Sequence, residues 1–154
     1  MSCFFCNRKD THPDNMCPWG CAERRKYFVD QEFLSDPDNG VSGDCWRACL
    51  ASLLAVPRDS VRHFVAEDGA DWLGATTGWL RKMYNFTLVE SAPEFPIANS
   101  IAMYVILMGM SPRNIGHAVL ANADNGAIVH DPHPSRDGLA WSTKVFALTH
   151  WRDA

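Results

Sequence analysis

The sequence predicts one α+β domain, with helices from the first half packed on an antiparallel sheet from the second. Three observations lead there. Residues 44–84 carry apolar side chains at helical spacing. Residues 86–151 break into short branched and aromatic runs separated by Gly, Pro, Asn and Asp. The two patterns follow one another instead of alternating, which separates this class from βαβ folds. A chain of 154 residues is long enough to bury a single core.

The elements follow in order. Residues 1–22, MSCFFCNRKDTHPDNMCPWGCA, show neither period, and their small apolar area cannot offset the entropy of ordering them. Residues 23–34 form a short helix or an extended arm onto the body. The run SDPDNGVSGD (35–44) is a loop, marked by Asp-Pro, Asn-Gly and two glycines in all. Asp44 then caps a helix running from Cys45 to Val56, where Pro57 stops it. Further helices are predicted over 58–67 and 71–84, the latter packing through Trp72, Leu73, Trp79, Leu80 and Met83. Strands are expected at 86–91 and 100–110, in a hairpin over 116–131, and within 139–151. The domain organisation is a cysteine-rich arm (1–30) ahead of a folded domain (31–154).

Composition narrows the function. The apolar share is 47%, the charged share 21% and the net charge −4. An acidic chain is not expected to bind nucleic acid broadly. No run of 18 apolar residues argues for a membrane span, and the N-terminus lacks the order of a signal peptide. A reducing, cytoplasmic compartment is the expectation, and it disfavours three disulfides from the six cysteines.

Two of those cysteines lie in GDCWRACL (43–50). Cys45 falls in the first turn of its helix, where unpaired N–H groups favour a thiolate. Cys49, one turn deeper, reads as packing, and Trp46 shields the sulfur or lines a substrate groove. A nucleophilic thiol needs a base, and the base an orienting group. Hairpin strands paired about Asp124 would set His117 directly across from Asp131. A two-residue turn on Asn125–Gly126 would instead put Leu120 opposite Asp131. His130 and His133 flank Asp131 as turn polarity or as substrate contacts. Arg113 is a surface cation or binds an anionic substrate group.

GDCWRACLASLL, followed by GHAVL and VHDPHPSRDGL, resembles the papain-like cysteine peptidase fold. It is closest to the compact branch of bacteriocin-leader-processing peptidases, and to small bacterial and phage proteins with an SPR…HAV…HDPHP run. The likeness covers roughly residues 39–140. It implies Cys45 as nucleophile, His117 as general base and Asp131 as its orienter. The fold places an oxyanion-donating Gln some six residues before the Cys; here Asn39 stands at that spacing. Trp46, Arg113 and His133 would contact substrate.

Cys3-x2-Cys6 and Cys17-x3-Cys21 have spacings compatible with a tetrahedral zinc site, with His12 able to replace one cysteine. Such a Zn2+ would be structural and would supply the ordering free energy the arm lacks. An unmetallated arm is the alternative. The functional expectation is a thiol hydrolase or acyltransferase acting on a protein, peptide or amide-containing small molecule. An inactive binding module for a protein partner is the second reading. A second metal site drawn from His117, His130, Asp131 and His133 is the third.

Overall fold

The computed structural model describes residues 28–152. The elements are α1 (Cys45–Leu54), α2 (Phe64–Asp68), α3 (Trp72–Tyr84) and strands β1 (Phe86–Ser91), β2 (Tyr104–Met110), β3 (Gly116–Asn122), β4 (Ile128–His130) and β5 (Trp141–His150). The strands form one antiparallel sheet in the order β1-β5-β2-β3-β4. The α+β class with helices ahead of an antiparallel sheet therefore stands. No helix among the described residues is long and apolar enough to cross a membrane.

Alternation along the central strands divides the core in two. Ile106, Ala118, Leu120, Phe146 and Leu148 face the helices and pack with Trp46, Cys49, Leu50, Leu53 and Leu80. Val105, Leu107, Val119, Ala121, Val145 and Ala147 face the other way, covered by Phe95, Ile97 and Leu139. Both faces of β2, β3 and β5 are thus apolar, and α1 lies across one of them.

The helices differ from expectation in ways with local causes. α1 stops at Leu54 because Ala55 turns left-handed (φ 54°) and its N–H closes the last turn. The run 58–67 is not one helix. A 3-10 turn at Arg58–Ser60 gives way to extended Val61, and α2 starts only at Phe64. Val61 breaks the run because its side chain is buried and its carbonyl accepts from Arg47 Nε at 2.7 Å. In α3, Met83 is 58% exposed, and Thr76 takes a buried place instead. Its hydroxyl donates to the Trp72 carbonyl (2.8 Å) and accepts from Trp46 Nε1 (3.3 Å), so the buried polar group is satisfied.

Residues 28–33 form neither helix nor strand. They are a strap held by side chains far away in sequence. Asp44, fully buried, does not cap α1 with its side chain. Its Oδ1 accepts instead from the backbone N–H groups of Glu32 and Phe33, both at 2.8 Å. At the strap's other end, the Gln31 N–H donates to the Pro132 carbonyl at 3.1 Å.

Candidate active site

Cys45 opens α1 and His117 lies near the start of β3. Both border a cavity of about 590 Å³, together with Gln31, Trp46, Trp72 and His133. β4 pairs only with Leu120 and Ala121, so among the described residues the neighbouring edge of β3 has no strand partner. Cys45 and Ala118 pack in one apolar cluster, α1 against β3.

Burial pushes the Cys45 thiol above its ordinary value. The N–H groups of Ala118 and Trp46 pull it down, and the Asp44 carboxylate behind it pushes it up again. The N–H groups at the helix end thus favour the thiolate in the expected direction, and desolvation acts against them more strongly. Cys49 is fully buried in the core, and its thiol is pushed well above the ordinary range by burial. The charges of Cys45 and Asp131 push it the same way.

His117 and Asp131 meet. His117 Nε2 lies 2.7 Å from Asp131 Oδ1, with both side chains buried. The expected route to this contact is corrected. Leu120 pairs with His130 and Ala121 with Ile128, with a register shift between them. Neither anticipated register is present, and Asp131 lies beyond the end of β4. Continuing the Leu120–His130 pairing would set Asp131 against Val119, two residues from His117 and on the same face. A diagonal neighbour of this kind is still within side-chain reach.

The loop after Asp131 completes the arrangement. Oδ1 also accepts from the His133 N–H at 2.8 Å, and Oδ2 from the Gly138 N–H at 2.7 Å. Gly138 has φ +68°, a conformation open to glycine at little cost. Burial alone would raise the Asp131 carboxyl. The His117 hydrogen bond and these two N–H groups outweigh it and hold the carboxyl below its usual range.

The remaining predicted residues divide. Trp46 is buried, with its ring edge-on to Trp72 and Phe146 at 4.8 and 5.2 Å, so it forms cavity wall and core at once. His133 borders the cavity with its ring perpendicular to that of His117, at 6.0 Å between centroids. Burial and then the Arg113 charge lower its pKa, favouring neutral imidazole. Arg113 also borders the cavity, but its Nη1 is engaged by Ser135 (2.7 Å) and Asp137 (3.3 Å). His130 faces away, toward the Val29 carbonyl at 3.0 Å, and stacks on Phe28.

Asn39 is not brought to the site. It ends an exposed 3-10 turn (Pro37–Asn39), and its amide donates to Asp36 Oδ2 at 2.6 Å. The residue that spacing missed is Gln31. It is 9% exposed and borders the cavity; Nε2 donates to the Phe33 carbonyl at 2.7 Å, and buried Oε1 finds no hydrogen-bond partner among the described residues. One amide N–H of Gln31 remains uncommitted by that bond. The only sequence signal for it is a glutamine in an otherwise acidic and apolar stretch, DQEFL.

Cys3, Cys6, Cys17, Cys21 and His12 lie outside the described residues. Among the described residues, no group of three or more His, Cys, Asp or Glu side chains is arranged to hold a metal. Comparison with protein-family profiles, with curated proteins and with solved structures gives no match, so the site is interpreted from its own geometry.

Proposed function

We propose that the chain is a thiol-dependent hydrolase or acyltransferase of papain-like type. Cys45 is its nucleophile, His117 its general base and Asp131 the group that orients His117. The observation that carries this reading is the buried 2.7 Å His117–Asp131 pair, whose His117 lines the cavity that Cys45 also borders. With Nε2 turned to Asp131, Nδ1 is the ring nitrogen left for the thiol proton. Cys45 Sγ attacks the acyl carbon, the thiol proton passes to His117, and His117 returns it to the leaving amine. Water then releases the acid, or a second amine takes the acyl group. The Cys45 backbone N–H at the helix end and the free amide N–H of Gln31 are the donors proposed for the oxyanion, in place of Asn39.

The raised Cys45 pKa fits a thiol that ionises by passing its proton to His117 instead of losing it to solvent. Arg113 is already paired with Asp137 and His133 favours the neutral form. Trp46, Trp72, Val65 and Ile115 border the same cavity. An uncharged apolar group flanking the acyl bond is the matching substrate chemistry. Reaction with the p-nitrophenyl ester of an apolar N-acyl amino acid tests the proposal. Mass spectrometry is expected to find the acyl group on the peptide carrying Cys45, and to lose it in Cys45→Ala and His117→Ala. Acylation of wild type at other residues only would contradict it.

The raised Cys45 thiol favours a second reading, a binding module that retains the cavity without turnover. In that case a Cys45→Ala variant would keep its full biological effect. The zinc-bearing arm belongs to either reading, as a structural element or a partner-recognition element. Zinc content of the full chain, measured with and without Cys3 and Cys17, tests it.

A further inference from the structure

We infer that Arg136 and Asp30 are positioning residues: they clamp the loop carrying Asp131 onto the strap, and so hold the Asp131 carboxylate against His117. The inference rests on the hydrolase reading for its catalytic meaning, though the clamp itself has a separate readout.

Asp131 has left the sheet, so ladder hydrogen bonds do not fix it. Its carboxylate is bound by N–H groups of its own loop, which orient it within the loop but do not anchor that loop to the protein. Arg136 supplies a side-chain anchor to the strap. Its backbone is left-handed (φ 56°), unusual for a residue with a long side chain. The guanidinium donates through Nη1 to the Asp131 backbone carbonyl. It also forks onto Asp30, Nη1 to Oδ1 at 2.6 Å and Nη2 to Oδ2 at 2.8 Å. A fork–fork pair fixes direction as well as distance. The Arg136 hydrogen bond is the leading cause that lowers the Asp30 pKa.

The strap reinforces the same junction. Gln31 N–H reaches the Pro132 carbonyl, His130 Nε2 approaches the Val29 carbonyl, and Arg58 donates to the Asp30 carbonyl at 2.8 Å. Asp44, immediately before Cys45, holds the next two strap residues. A continuous chain of contacts thus runs from the base of the nucleophile's helix, along the strap, through Arg136, to Asp131 and His117.

Both clamp side chains are about half-exposed. An ion pair in that setting adds little to global stability, so a merely structural role predicts that its removal changes little anywhere. A positioning role predicts a local effect at the site. The test uses the full chain with 15N-labelled histidine, comparing wild type with Arg136→Ala, Asp30→Ala, the double variant and Arg136→Lys. In wild type, the His117 Nε2–H bound to Asp131 is expected as a downfield proton resonance. It should shift upfield or broaden by exchange in both Ala variants, while circular dichroism melting changes little. Cys45 alkylation by iodoacetamide should slow by about five-fold or more in each single variant, with no comparable further loss in the double variant. Arg136→Lys should recover part of the rate. A wild-type resonance and wild-type rate in both single variants would overturn the clamp. If wild-type Cys45 reacts no faster than in His117→Ala, the hydrolase reading fails instead, and the His117 resonance still decides whether the clamp positions Asp131.

Discussion

Asp131 is a carboxylate whose burial works against its charge, and the surrounding hydrogen bonds reverse that effect. Its folded pKa lies below the ordinary value near 3.8, so it contributes stability that is fully present above about pH 4 and is lost as pH falls through the folded value. Asp131→Asn should therefore cost about 1–3 kcal/mol at neutral pH, and the difference from wild type should shrink below about pH 3. Urea unfolding at the two pH values checks this; a difference independent of pH would contradict it. The pair itself was legible in the sequence as residue types, because a histidine opening a strand and an aspartate ending the next are local features. The register was not legible, because a bulge between Leu120 and Ala121 depends on packing across strands. Asn39 shows the limit of counting. Spacing back from Cys45 assumes a loop of standard length, whereas the Asp36–Val41 bridge and the turn within it carry Asn39 away and leave Gln31 at the cavity.

Secondary elements were legible where periodicity and turn residues agree. β1 occupies Phe86–Ser91 as expected, since Asn85 in the left-handed region ends α3 immediately before it. α1 ends early on Ala55, a side-chain-bearing residue at the position that glycine usually takes. Ala55→Gly is accordingly expected to stabilise the protein by about 0.5–1 kcal/mol, as relief of left-handed strain exceeds the added freedom of the unfolded chain. A lower melting temperature would refute that account. Gly109 in β2 is the reverse case. It pairs with His117 on one side and Ser142 on the other, where β5 shifts register. A Cβ there would collide with the Trp141 carbonyl oxygen, which is backbone and cannot rotate away. Gly109→Ala should cost about 2–3 kcal/mol and lower the chemical-shift dispersion of β5 amides. Near-wild-type unfolding would show that the two strands separate more easily than the packing implies.

At the scale of the whole molecule, the strap joins the two halves of the site, and nothing in its sequence announces this. Residues 28–33 have no period because most of their bonds run to distant residues such as Asp44, Pro132 and Arg136. Asp44 is the joint: fully buried, it binds two strap N–H groups at once. Asp44→Ala strands those donors and is expected to cost about 3 kcal/mol in urea unfolding, a large part of the stability of a domain this size. A loss under about 0.5 kcal/mol would mean that the strap is not fixed there. The helices-then-sheet order was legible because it follows from local pattern, whereas the assembly of the cavity depends on these long-range hydrogen bonds. Whether His117 serves the Cys45 thiol is read from the pH dependence of iodoacetamide alkylation at Cys45 in wild type and His117→Ala. Near pH 7 wild type should react about ten-fold faster or more, with the two rates converging as pH rises past the ordinary thiol range of about 8.5. Superimposable rate profiles for the two proteins would contradict that role.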